Sequence, residues 1–93
     1  MPEPIFEAAA ILGARIRARR QELKLSQEQL DGRTGVHWSY LGQVERGLRN
    51  PSLRNLLRLA DGLEIDLAEL VRELPAPPAD EGENGPERRP RRV

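Results

Sequence analysis

The stretch "SQEQLDGRTGVHWSYLGQVERG", residues 26–47, decides the fold of this chain. Its pattern predicts two short helices, over 27–33 and 37–45, because the apolar residues recur at helical spacing. Between the two helices, Gly35 permits the left-handed backbone conformation that a sharp turn often requires. Four apolar residues are predicted to lock the two helices together: Leu30, Val36, Leu41 and Val44.

Signals at helix ends extend this prediction toward the N-terminus. Ser26 and Gln29 have the spacing of a capping box, so a helix begins directly after Ser26. Gly47 is expected to close the second helix of the pair. Another helix is predicted over residues 6–23, preceded by two prolines. Its apolar side consists of Ala9, Leu12, Ile16 and Leu23.

Two further helices are predicted after the pair. One begins at Asn50-Pro51-Ser52, where either Asn50 or Ser52 is the cap and Pro51 fits the first turn. Asp66 then begins a short last helix, in a box-like pattern that runs through about Glu73. The apolar side of the fourth helix is predicted to be Leu53, Leu56, Leu57, Ala60 and Leu63. With few β-branched residues in the chain, these helices predict an all-α, compact five-helix fold.

A change of composition at Pro75 divides the chain into two parts. Residues 1–74 are expected to form one domain, since 93 residues allow one small domain and not two. Residues 75–93, "PAPPADEGENGPERRPRRV", lack the large apolar residues that a core requires and are predicted to be a disordered tail. The basic end of this tail either adds non-specific attraction to phosphates or only improves solubility.

The composition excludes several classes of protein. The chain has no cysteine and one histidine, so we predict no metal site, no cofactor and no catalytic grouping, and the protein is not expected to be an enzyme. No segment approaches the roughly 18 apolar residues of a membrane span, and the N-terminus lacks the basic start of a signal peptide. A cytoplasmic protein without a membrane partner is therefore expected.

The charges are segregated along the chain although the formal net charge is zero. Residues 15–58 carry ten basic and four acidic side chains, whereas residues 59–74 carry five acidic and one basic. Such asymmetry favours an anionic partner for one face of the domain. The alternative is that solvated helix faces segregate by chance.

Three motifs, "LSQEQL", "SYLGQVERG" and "RNPSL", carry a resemblance to a known family. Over residues 12–71 the chain resembles the lambda-repressor/Cro-type (XRE-like) helix-turn-helix family, and most of all its small one-domain regulators such as restriction–modification controller proteins. The resemblance implies a sequence-specific transcriptional regulator that binds double-stranded DNA. It also implies a homodimer on a palindromic operator, with the 37–45 helix in the major groove.

The resemblance also assigns roles to individual residues. Its base-reading positions are Trp38, Ser39 and Gln43, of which a glutamine suits adenine and a serine several bases. Its phosphate-contacting positions are Gln27, Tyr40, Arg46, Arg49 and Asn50. Gln27 is also expected to brace the base-reading helix. Arg20 and Glu45 match an internal salt bridge of the family, and we expect a structural role for this pair.

Three residues depart from the family's pattern. Asp31 replaces a small alanine at a close helix approach, so it either points outward or pairs with Arg33 or a residue of the third helix. His37 occupies a capping position as a surface histidine without a special role, or as a pH switch. Trp38 stands where related regulators often have arginine. It contacts thymine methyl groups and sugars, folds back over the second helix, or belongs to a protein-binding surface.

The C-terminal helix offers more apolar surface than one short helix can bury. Part of it is expected to form a two-fold interface between two copies. The residues predicted there are Ile65, Leu67, Leu70, Val71 and Leu74. An alternative function on the same fold is a protein-interaction module, antitoxin-like or an adaptor, that uses the surface around Trp38 and Tyr40.

Overall fold

The computed structural model describes residues 2–79 and contains five α-helices in that part of the chain. They are α1 (Glu7–Glu22), α2 (Gln27–Thr34), α3 (Trp38–Glu45), α4 (Leu53–Gly62) and α5 (Leu67–Val71). The predicted all-α class and the order of the five helices are confirmed. The predicted disordered tail lies mostly outside the described residues, and its first residues, 75–78, form no regular secondary structure.

One apolar core holds the five helices together. α1 packs on α3 and α5, α2 packs on α3 and α4, and α4 packs on α5. The four residues predicted to lock α2 and α3 together are all buried in this core. The other core residues are Leu12, Ile16, Leu59, Ala60, Leu63 and Leu70. As a result α3 is supported from two sides by α1 and α2, and its remaining side is free to meet solvent.

The approach of α1 to α3 depends on Gly13. A Cβ atom at this position would lie 2.6 Å from the carbonyl oxygen of Glu45, well inside van der Waals contact. Because the obstructing atoms belong to the backbone, they cannot rotate away as a side chain could. Gly13 therefore permits the C-terminal end of α3 to lie directly against α1.

The helix ends follow most of the predicted signals. The capping box of α2 is complete, with Ser26 Oγ accepting from the N–H of Gln29 and Gln29 Oε1 accepting from the N–H of Ser26. Gly35 ends α2 in the left-handed region at φ 76°. Two predictions were wrong. Pro51 precedes the cap of α4, which is Ser52, and Asp66 makes no side-chain capping bond, so the box-like pattern at α5 is not formed.

The buried side of α4 differs from the predicted one. Leu53 and Leu57 are 65% and 52% exposed, whereas Leu59 is fully buried. The leucine-rich sequence of α4 contains two neighbouring stripes, and both have helical spacing. Packing against α2 and α5 selects the stripe that contains Leu56, Leu59, Ala60 and Leu63. The periodicity of α4 alone could not distinguish these two faces.

Three arginines of the basic segment are occupied within the domain. Arg15 donates to the carbonyl oxygens of Leu70 and Arg72 at 3.0 and 2.8 Å. Arg19 donates to the carbonyl oxygens of Leu63 and Glu64, and Arg33 donates to that of Gly62. These are the carbonyl groups that the ends of α4 and α5 leave unpaired, and a cation is favourable there. The charge asymmetry of the sequence is thus partly structural.

Candidate nucleic-acid interface

The outer side of α3 is formed by the residues that sequence analysis assigned to base contacts. Trp38 is 44% exposed, Ser39 is exposed and Gln43 is half-buried. Leu41 and Val44 point the opposite way, into the core. Residues four apart in a helix lie on one face, so Ser39 and Gln43 are neighbours on this outer side.

Two side chains accept the first N–H groups of α3. His37 Nδ1 accepts from the N–H of Ser39 at 3.1 Å, and Asp31 Oδ2 accepts from the N–H of Trp38 at 3.0 Å. The interpretation of His37 as a residue without a special role was therefore wrong, because it is the N-cap of α3. Asp31 follows the alternative in which it pairs with α3. The orphan N–H groups that begin every helix were the signal available in the sequence.

The cap also defines what Ser39 offers to a partner. A backbone N–H can only donate, so Nδ1 of His37 is the acceptor in the bond from Ser39. The hydroxyl of Ser39 lies 3.0 Å from the same Nδ1. This hydroxyl is exposed and can donate or accept when a partner approaches. Trp38 stacks on the imidazole with a centroid distance of 5.6 Å.

A buried salt bridge joins α1 to the end of α3. Arg20 donates to both carboxylate oxygens of Glu45, from Nε at 2.6 Å and from Nη2 at 2.9 Å. Gln27 Nε2 donates to the same carboxylate at 3.1 Å. The side chain of Glu45 is only 3% exposed. The hydrogen bonds to Glu45 raise the pKa of the Arg20 guanidinium, although its partial burial acts in the opposite direction.

A polar crevice of about 230 Å³ opens beside this network. Gln27, Gly42 and Arg46 line it on one side, and α1 contributes Arg17 and Arg20. Arg17 was not among the predicted site residues. Its position three residues before Arg20, and therefore on the same side of α1, was the signal that could have found it. The crevice holds two exposed arginines close to the amide of Gln27.

The loop after α3 folds back onto the outer side of that helix. Arg49 Nε donates to Gln43 Oε1 at 2.7 Å. The guanidinium of Arg49 also lies 5.8 Å from the centre of the half-buried Tyr40 ring. Arg46 and Asn50 are exposed in the same part of the chain. Thus the structure brings the predicted base-contacting and phosphate-contacting residues to one side of the domain, around α3.

The residues predicted for a dimer interface divide into two groups. Leu70 is 1% exposed and belongs to the core, so it is unavailable to a second copy. The others are only partly buried: Ile65, Leu67, Val71 and Leu74.

Within residues 2–79, no cluster of three or more potential metal ligands is found. No helix of this part combines the length and apolar character that crossing a membrane requires.

Comparison with known protein families identifies the family of this chain. The family model described as helix-turn-helix matches residues 16–70, which include α2, α3 and the turn between them. The chain belongs to the helix-turn-helix family. Its members are DNA-binding transcriptional regulators rather than a class of enzymes, and the resemblance to XRE-like regulators is confirmed.

Individual relatives of this helix-turn-helix chain include controllers and repressors. Control protein C.SmaI of Serratia marcescens is 41% identical over 61 residues, which are 66% of this chain and 73% of the relative. The crystal structure of the restriction-modification controller protein C.AhdI from Aeromonas hydrophila matches with a TM-score of 0.68 and 45% identity, over 70% of this chain and 98% of that one.

A repressor bound to DNA is also similar to this helix-turn-helix chain. The P22 c2 repressor protein in complex with a synthetic operator matches with a TM-score of 0.63 and 37% identity, over 67% of this chain and 94% of that one. Some curated relatives are longer, and the chain spans only 43% of the length of one of them.

Proposed function

We propose that this protein is a sequence-specific regulator that binds a palindromic operator in double-stranded DNA as a homodimer, with α3 in the major groove. The observation that carries the proposal is the outer side of α3. The backbone of the helix is fixed by the caps at its start and by the Arg20–Glu45 bridge at its end. A helix whose orientation is fixed in this way can present its outer side chains to base edges in one defined arrangement.

The polar groups of this side suit base edges. Ser39 presents a hydroxyl oxygen and Gln43 presents an amide. Base edges in the major groove are recognised by such hydrogen bonds and by apolar contacts with the thymine methyl group. Trp38, which is exposed and stacked on His37, supplies an apolar surface of that kind.

The arginines around α3 suit the phosphates on either side of the groove. Arg17 and Arg46 flank Gln27, whose amide uses one N–H on Glu45 and keeps a second for a phosphate oxygen. Asn50 is exposed in the loop after α3, and the half-buried Tyr40 carries a hydroxyl that can donate to a phosphate as well. Phosphate contacts position the protein on the duplex and make its affinity depend on salt.

An exposed apolar surface supports the homodimer. Leu53 and Leu57 lie one turn apart on α4 and are more than half exposed, and the partly buried residues of the C-terminal region add to the apolar surface. Isologous contact through such a surface pairs each patch with itself. Two copies of α3 would then enter successive major grooves about 34 Å apart on one face of the duplex.

Selection of DNA from a random pool with the purified protein tests the proposed function. We expect an enriched motif with two-fold symmetry and an affinity that falls steeply as the salt concentration rises. A single unsymmetrical half-site would contradict the homodimer. The absence of any enriched motif would contradict sequence-specific binding. Tight binding to a protein partner, with an affinity that does not depend on salt, would favour the interaction module.

Trp38→Arg tests whether Trp38 lies against bases. Because the side chain is exposed, the thermal midpoint is expected to change little, corresponding to about 0.5 kcal/mol or less. The selected motif, in contrast, should shift toward guanine at one position of each half-site, since arginine makes two hydrogen bonds to guanine. Selection with the parent and the variant in parallel measures this shift. A variant that keeps the parent's motif would show that Trp38 does not read a base.

A further inference from the structure

Arg49 and Gln43 form a pair that connects the loop after α3 to the outer side of this helix. The Nε of Arg49 donates to the Oε1 of Gln43 at 2.7 Å, which is a short and charge-assisted hydrogen bond. The Arg49 guanidinium also lies over the ring of Tyr40. Arg49 is thus held at two points, by an amide oxygen and by an aromatic face.

The chemistry of the pair determines which way the Gln43 amide faces. An amide has an oxygen that accepts and a nitrogen that donates, and it can turn over by rotation. A guanidinium has only donors, so it can bind only the oxygen of the amide. While Arg49 is in place, the oxygen of Gln43 faces Arg49 and the NH2 group is the part left for another partner.

We propose that Arg49 is a specificity-determining positioning residue, which holds Gln43 with its NH2 group toward the base edges. This inference rests on the proposed function, because it requires that α3 reads DNA. The held amide favours an acceptor such as guanine O6 or thymine O4. It disfavours the two-bond contact with adenine, because that contact needs the oxygen and the NH2 group of the amide on the base edge together, whereas Arg49 holds the oxygen toward itself.

An arginine that only contacts a phosphate would behave differently from a positioning residue. Removing its charge weakens binding to all sequences by the same factor. It also reduces the slope of log affinity against log salt concentration by about the contribution of one phosphate contact. Removing a positioning residue additionally changes the preference at the one base pair that Gln43 faces. The two roles therefore separate when preference is measured position by position.

The test compares two variants of the same loop that each lose one charge. Arg49→Met removes the donor to Gln43 and the cation over Tyr40. Arg46→Met removes an exposed arginine whose guanidinium lies beside Gly42. Both should reduce the slope of log affinity against log salt concentration by about the contribution of one phosphate contact. Only Arg49→Met should lower the discrimination at the Gln43 position, by roughly tenfold, and raise the share of adenine there.

Gln43→Ala identifies that position, because it removes the amide that reads it. In the double variant that combines Arg49→Met with Gln43→Ala, the loss of discrimination should be no greater than in Gln43→Ala alone, since Arg49 acts through Gln43. A motif that is identical for Arg49→Met and the parent would overturn the inference, as would a strong parental preference for adenine at the Gln43 position. If the parent itself selects no motif, the proposed function fails instead.

Discussion

Replacement of Glu45 by alanine is expected to lower the free energy of unfolding by about 3–5 kcal/mol. The Glu45 carboxylate accepts three side-chain hydrogen bonds, two from Arg20 and one from Gln27. Its removal leaves a guanidinium that is only 12% exposed without its counter-charge. Small domains are stable by only about 5–15 kcal/mol, so a loss of this size is a large share of the whole.

Thermal and urea unfolding, followed by circular dichroism, measure the effect of Glu45→Ala. Glu22→Ala is the matched control, because it removes a glutamate from another arginine pair that is far more exposed, with Glu22 at 64%. That control is expected to change the free energy of unfolding by less than about 1 kcal/mol. Equal midpoints for Glu45→Ala and the parent would show that the buried bridge contributes nothing to stability.

Gly13→Ala is expected to destabilise the domain by about 1–3 kcal/mol, although alanine is the better helix former. The added methyl group meets the carbonyl oxygens of Val44 and Glu45, and these backbone atoms can move only if α1 and α3 separate. Such a separation would also lengthen the Arg20–Glu45 hydrogen bonds. The substitution should therefore weaken DNA binding as well, since the orientation of α3 depends on that bridge.

The same substitution at Gly32 is the control for Gly13→Ala. Gly32 lies within α2, and a Cβ atom there meets nothing within 4 Å. Gly32→Ala is expected to stabilise the domain by up to about 1 kcal/mol. Unfolding of the two variants under identical conditions should give free-energy changes of opposite sign. Changes of the same sign would contradict the close approach of α1 to α3.

Much of the fold could be predicted because the decisive signals are local. The capping box at Ser26, the turn at Gly35 and the spacing of Leu41 and Val44 each involve neighbours in the sequence. The buried stripe of α4 was not predictable in the same way. Two leucine stripes compete there, and only the position of the neighbouring helices decides that Leu59 is buried.

The candidate site shows the same division between local and distant causes. Which residues of α3 face outward followed from its period, and the partnership of Arg20 with Glu45 followed from the family resemblance. The hydrogen bond between Arg49 and Gln43 depends on the path of the loop after α3, which no periodicity describes. His37 was placed at the capping position, but its side-chain bond to the N–H of Ser39 was not predicted, because histidine is not among the usual N-cap residues.

The two sides of α3 have a consequence for the way such a protein can diverge or be redesigned. Leu41, Val44 and Glu45 maintain the domain, whereas the residues that meet solvent contribute little to its stability. On the proposed function, new target preferences can therefore be explored by replacing surface residues of one short helix while the scaffold stays intact. Under the proposed positioning role of Arg49, Gln43 is the exception, because the two hydrogen-bonded side chains must be chosen together.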